Sequence, residues 1–217
     1  PGPFPHVTGH YARRSAMAEP NTECLARKSL AAPHRRGSHC QRMPTTERLL
    51  IEPLAHAHAE GLVAALAHDS VGAYTGGPEV TTVEAQHERI DDLARGPDQP
   101  DERWLNFAVS RQVDGLVLGY VQATTYADWA EVAYVFGPAT SGHGFATEAV
   151  QWLIGHLRSL GVHELWAAIH PDNGPSIRLI ERVGFDVQPQ LGRPVASYDE
   201  GDLVFRLDAT RSAPTPG

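Results

Sequence analysis

The stretch from Ala130 to Leu160 constrains this chain more than any other. Ala130–Phe136 (Ala-Glu-Val-Ala-Tyr-Val-Phe) reads as a strand, and Gly137–Gly144 as a loop in which Gly142 and Gly144 bracket His143. Phe145–Leu160 follows at once as a helix, with Ala146, Ala149, Val150, Leu153, Ile154 and Leu157 in one apolar stripe. Glycines let the backbone turn tightly and let a ligand reach the amides with no Cβ in the way. The helix start adds free N–H groups and the positive end of the dipole, so the junction suits phosphate or pyrophosphate. An ordinary strand-to-helix turn would look the same from these residues alone. The dinucleotide fingerprint G-x-G-x-x-G is absent, because Thr147 holds its third glycine position, and so is the Gly-Lys-Ser/Thr of a nucleotide P-loop.

The remaining pattern supplies layers for that helix to pack on. Arg48–Pro53 reads as a strand stopped by its proline, and Ala57–Ala67 as a helix through Leu62, Ala65 and Leu66. After a turn at Gly76-Gly77-Pro78, Thr81-Thr82 offers an N-cap for a helix with Val83, His87 and Ile90 on one face. Leu105–Ser110 and Leu116–Thr125 read as strands joined by a turn containing Asp114-Gly115. Glu164–Ile169 is a buried strand, Pro175–Val183 a short helix ended by Gly184, and strand pieces follow near Asp186–Gln188 and Asp202–Leu207. The expected fold is α/β (α+β), a mixed central sheet of about seven strands with four main helices.

Composition sets the outer bounds. With 217 residues, 41% of them hydrophobic, and only two Cys, the chain has room for one domain and is neither collagen-like nor disulfide-stapled. No run approaches the roughly 18 apolar residues of a membrane span, so no membrane partner is expected. The net charge of −8 conceals a split: residues 1–42 carry seven basic and two acidic residues (+5), residues 43–217 eleven and twenty-four (−13). Lys28 is the only lysine. An acidic body with scattered arginines matches nucleic-acid binding poorly. It fits a cationic partner, or simply a solvated acidic surface.

Residues 1–42, with five prolines and no sustained period, are expected to be a disordered leader or non-domain sequence. The domain is expected over 43–207 and a flexible tail over 208–217. Cys24 and Cys40 lack the paired spacing of a zinc site, so no metal is expected. Two free thiols without a secretory apolar region point to the cytoplasm. Oligomeric state stays open between monomer and homodimer.

Four blocks carry a resemblance. They are Thr46-Glu-Arg-Leu-Leu-Ile-Glu-Pro53, Glu131-Val-Ala-Tyr-Val135, Gly142-His-Gly-Phe-Ala-Thr-Glu-Ala149 and Asn173-Gly-Pro-Ser-Ile-Arg-Leu-Ile-Glu-Arg-Val-Gly-Phe185. In order and at compatible spacing, they resemble the GNAT superfamily of acyl-CoA-dependent N-acetyltransferases, and within it the Rim-type ribosomal-protein branch. Ser141-Gly-His-Gly-Phe-Ala146 is similar to the family's Q/R-x-x-G-x-G/A. The resemblance implies a GNAT-like acyl-CoA N-acyltransferase fold, acetyl-CoA as acetyl donor, and an amine acceptor. Backbone amides of Gly142, His143, Gly144, Phe145, Ala146 and Thr147 would cradle the CoA pyrophosphate. Main-chain groups of Tyr134, Val135 and Phe136 would pair with the pantetheine arm. Asn173 would touch that arm, and Ser176 would lie near the sulfur.

Three positions depart from the family pattern. Ser141 stands where Gln or Arg is favoured, and His143 where a lysine or arginine is common. Ile180 stands where many members place a tyrosine general acid, so Ser176 becomes the candidate to protonate the leaving thiolate, with a role as helix N-cap as the competing reading. With so little cation near the loop, backbone amides are expected to do most of the phosphate binding, and His143 to strengthen CoA binding as pH falls through about 6.5.

An amine must lose a proton before it attacks, and an N-terminal amine (about 8) does so more readily than lysine (about 10.4). Glu131, at the start of its strand, is a candidate base, the alternative being a solvent-facing strand residue. The acceptor is expected to be a protein N-terminal amine or a small cationic amine. The alternative function is a non-catalytic acyl-CoA-binding module of the same fold.

Overall fold

The expected run of elements begins with β1 (Leu49–Pro53), which ends at its proline. The helix expected over 57–67 divides into a 3-10 turn, His56–His58, and α1 (Ala59–Leu66). Then come α2 (Val83–Arg95), β2 (Arg103–Arg111), β3 (Val117–Thr125) and β4 (Trp129–Phe136). After the glycine loop stand α3 (Phe145–Ser159), β5 (Glu164–Ile169), α4 (Gly174–Arg182), β6 (Asp186–Gln188) and β7 (Leu203–Asp208). This computed structural model describes residues 45–74 and 81–210. The leader assigned to 1–42 and the turn at Gly76-Gly77-Pro78 lie outside the described residues. The folded part runs past the boundary expected at 207. Asp208 is the last residue of β7, and buried Ala209 donates its N–H to the His163 carbonyl (2.8 Å) while its own carbonyl accepts from Arg158 Nε (2.9 Å).

The seven strands form one sheet in the order β1-β2-β3-β4-β5-β7-β6. Every neighbouring pair is antiparallel except β4 and β5, which run parallel. Alternation along β4 divides the core. Ala130 and Val132 join the main apolar cluster under α3, with Leu153, Leu157, Leu165 and Phe205. Trp129 faces the other way, into a cluster with Trp166, Val195 and Val204 that pins the 189–201 segment to the sheet. Val135 packs beneath α1 with Leu62, Leu66 and Tyr120. The same period-2 pattern thus builds both layers. No helix among the described residues is long and apolar enough to cross a membrane.

On α2 the expected face is displaced. Thr82 caps the helix, accepting from the Ala85 N–H (3.2 Å), but the buried positions are Gln86, Arg89 and Ile90. Arg89 lies over the Tyr120 ring, 4.7 Å from its centroid, and His87 stacks on His56 at 4.4 Å. The helix has too few apolar residues for an oily stripe, so it covers the sheet with an arginine stacked on an aromatic ring.

Candidate functional site

The parallel pair of strands opens the site. β4 and β5 are in register only at Trp129–Glu164, Ala130–Leu165 and Glu131–Trp166. Beyond Glu131 the strands part, and the side of β4 from Val132 to Phe136 that faces β5 has no partner strand. Such an edge offers main-chain donors and acceptors to an extended ligand. Two connected hollows meet there. A long groove is lined by Tyr134, Val135 and Phe136, by the loop at Ser141, Gly142 and Gly144, and by Ala146, Thr147, Asn173 and Ser176. A more enclosed cavity shares Tyr134, Val135, Asn173 and Ser176 with it, and continues to Gln122, His170, Ser197, Asp199 and Asp202.

The loop is built as a turn with an open helix end. Gly142 and Gly144 have φ of 77° and 74°, left-handed values that a side chain rarely adopts. Space is not the reason at Gly142, where a Cβ would meet nothing within 4 Å. The first N–H with an intrahelical acceptor is that of Glu148, donating to the Gly144 carbonyl (3.0 Å), so the amides of Phe145, Ala146 and Thr147 stand at the open end. The N–H of His143 is committed inward, to the Thr140 carbonyl (3.3 Å). The His143 imidazole stacks on Phe145, centroids 5.7 Å apart, and neither ring is among those lining the groove. The imidazole expected to strengthen CoA binding on protonation is thus held in a stack on Phe145, between two glycines that line the groove.

Charge at this junction comes from residues that the sequence reading missed. Arg48, just before β1, donates through Nη1 to the His143 carbonyl (2.9 Å) and lies over the Phe145 ring. It also pairs with Glu148 in the first turn of α3, through Nε at 2.7 Å and Nη2 at 2.6 Å. Glu148 further accepts from the Arg48 N–H (3.0 Å) and from Thr46 Oγ1. Burial pushes the Glu148 carboxyl up, but the hydrogen bonds from Thr46 and Arg48 outweigh it and hold the group below the usual carboxylate range. Across the groove, Arg178 and Arg182 of α4 line it from one helix face. Their i, i+4 spacing was the legible signal. They add side-chain cations to a groove where backbone amides were expected to do most of the phosphate binding.

At the far end of the groove, Asn173 rather than Ser176 caps α4: Asn173 Oδ1 accepts the Ser176 N–H at 3.2 Å. The Ser176 hydroxyl is thereby released from capping and lies where the two hollows join. Tyr134 reaches across from β4 and donates its hydroxyl to the Ser176 carbonyl (3.1 Å); burial pushes its phenol well above the ordinary value. Ile180 is fully buried in the main core.

Glu131 is not solvent-facing. It is 5% exposed, and its Oε2 and Oε1 accept the N–H groups of Ala196 (2.7 Å) and Ser197 (2.9 Å). It does not line the cavity; it holds the segment that brings Ser197 and Asp199 to it. Tyr198 packs beside Trp129 and Trp166, whereas His170 lines the cavity with its ring 5.7 Å from Tyr74. Among the described residues, no group of three His, Cys, Asp or Glu could hold a metal ion.

Comparison with known proteins adds three findings. Residues 48–186 match the family model described as an acetyltransferase (GNAT) domain. The L-methionine sulfoximine/L-methionine sulfone acetyltransferase of Pseudomonas aeruginosa is 33% identical over 119 residues, 49% of this chain and 67% of that protein. Two solved structures share the fold. A GNAT-family acetyltransferase from Bacillus anthracis has a TM-score of 0.62 at 20% identity, covering 77% of this chain and 98% of its own. Mycobacterium smegmatis RimJ, in complex with CoA-disulfide, has a TM-score of 0.61 at 20% identity, covering 75% of this chain and 82% of its own.

Proposed function

The chain belongs to the GNAT acetyltransferase family, and from that premise we propose that it moves an acetyl group from acetyl-CoA to a primary amine at the junction of the two hollows. One observation carries this reading: the parting of β4 from β5 joins a phosphate-suited groove to a more enclosed cavity along a free strand edge. The residues fit the donor. Open amides at Phe145–Thr147, with Arg178 and Arg182, would hold its phosphates. The edge of Tyr134–Phe136 and the Asn173 side chain would hold the pantetheine arm. Bound there, acetyl-CoA supplies a thioester carbonyl as the electrophile.

The chain's own residues then have separable tasks. A main-chain N–H of the free β4 edge is a fixed donor for developing negative charge on the carbonyl oxygen. The amine nitrogen bonds to the acetyl carbon, the carbon–sulfur bond breaks, the amine gives up one proton and the sulfur leaves with one. The Ser176 hydroxyl is the proton donor to that sulfur. Tyr134 holds the turn that carries Ser176. Glu131 acts as a positioning residue for the Ser197–Asp199 segment, and the amine proton leaves through cavity water.

The acetyltransferase relatives speak for catalysis over a binding module. The finer Rim-type assignment rests on the four sequence blocks and on the fold shared with RimJ. It makes a protein N-terminal amine one acceptor class. The similarity to the methionine sulfoximine enzyme makes a free amino acid another. Thiol release from acetyl-CoA across a panel of N-terminal peptides, amino acids and small amines tests the reading. Ser176→Ala should lower kcat by roughly 100-fold or more with acetyl-CoA affinity kept. No release with any amine would overturn catalysis.

A further inference from the structure

Gln122 is a polar side chain that the fold leaves without a task. It sits in β3 opposite Ala133 of β4, is 7% exposed, and lines the enclosed cavity. Its carboxamide makes no hydrogen bond to any described residue. The little surface it keeps is at the cavity, so its amide is open to a ligand group there. The Ser197 hydroxyl and the Asp199 carboxylate line the same cavity, also with no side-chain hydrogen bond to a described residue.

The charge around Gln122 has one sign. Asp199 and Asp202 both line the cavity, the Asp199 N–H donating to Asp202 Oδ2 at 3.1 Å. Burial pushes the Asp202 carboxyl up and outweighs the hydrogen bond from the Asp199 N–H, which lowers it; the Asp199 charge adds to the rise and His170 opposes it. No Arg or Lys is among the lining residues, and the sequence from Thr75 to Val80 adds none. Arg89 belongs to the stack on Tyr120 and does not line the cavity. A free amino acid would bring its carboxylate into this cavity beside two aspartates. A second ammonium group would instead find two carboxylates there.

We propose that the acceptor is a diamine or polyamine: its reacting amine is oriented by the Gln122 carbonyl oxygen within the cavity, and its second ammonium rests on Asp199 and Asp202. This rests on the acetyltransferase reading above. The nitrogen of the first amine forms the new amide bond as described there. The second amine stays protonated throughout.

Matched acceptors provide the test: 1,5-diaminopentane, n-pentylamine with the same carbon chain, and L-methionine sulfone. The expected result is a kcat/KM for the diamine about tenfold or more above that for the monoamine, carried mainly by KM. In Asp199→Asn and Asp202→Asn that ratio should fall toward one. Calorimetric titration of 1,5-diaminopentane into the CoA-saturated protein reads the same contact without turnover, and acetyl-CoA affinity reports that each variant is folded. Equal use of both amines, preference for methionine sulfone, or diamine binding unchanged in both variants would overturn the proposal. Diamine binding lost in the variants, with no turnover on any acceptor, would support this site and overturn the catalytic reading instead.

Discussion

At Glu131 a single carboxylate separates two mechanisms. Both of its oxygens are engaged by the amides of Ala196 and Ser197, and it is absent from the cavity wall. A general base would need a free oxygen aimed at the amine. Glu131→Gln should therefore act on structure: the carboxamide NH2 cannot accept an N–H, so one loop amide loses its partner. Stability should fall by about 1–3 kcal/mol, read by urea unfolding, and acceptor KM should rise more than kcat falls. A kcat loss of a hundredfold or more with stability and KM unchanged would restore the base. Sequence could single out Glu131 because it is a carboxylate at the start of the strand that leads into the glycine loop. It could not say where the carboxylate points, since its partners lie 65 and 66 positions away. Gln122, Asp199 and Asp202 escaped for the same reason, being gathered from two distant segments with no shared motif.

The elements were read more easily, because their signals are local. The apolar stripe of α3 and the capping Thr82 of α2 are written in consecutive residues, and both helices begin where expected. The parting of β4 from β5 is a different kind of fact, a loss of pairing between strands joined through a helix, and no local pattern encodes it. Attachment of β1 to α3 was equally hidden, although Thr46, Arg48 and Glu148 all stood within the matched blocks. That attachment has a pH signature. Glu148 is held below its ordinary pKa, so its stabilising contribution is full above the unfolded value of about 4.3 and is lost as pH falls through the folded one. Glu164 follows the same sign: burial raises its carboxyl, but the hydrogen bonds from Arg206, Arg193 and Trp166 outweigh that and lower it. Urea midpoints should therefore drop on acidification below about pH 4.3. Glu148→Gln should be less stable at neutral pH and lose less on acidification. An unchanged acid limb in that variant would show that the Arg48–Glu148 contact contributes nothing net.

Across the whole molecule, the charge problem takes a form that can be measured. Residues 43–217 carry a net −13, yet the family's acetyl donor, acetyl-CoA, is a polyanion. The fold separates the signs: Arg178 and Arg182 line the groove, whereas Asp199 and Asp202 line the more enclosed cavity. The two kinds of charge act over different ranges. A domain of about 165 residues has a radius of gyration near 15 Å, so the dispersed acidic surface acts on the groove from about that distance. Its repulsion is felt at 0.01 M salt, where the Debye length is about 30 Å, and is largely screened at 0.1 M, where it is about 10 Å. The two arginines act at contact, and their pull weakens only at higher salt. KM for acetyl-CoA should accordingly fall between about 0.01 and 0.1 M salt and rise above that. Arg178→Ala together with Arg182→Ala should raise KM by roughly tenfold and flatten the upper limb, leaving the lower limb in place. A steady rise from the lowest salt in the parent protein would mean that the distant acidity has no hold on the cosubstrate, and that the groove is electrostatically isolated from the rest of the surface.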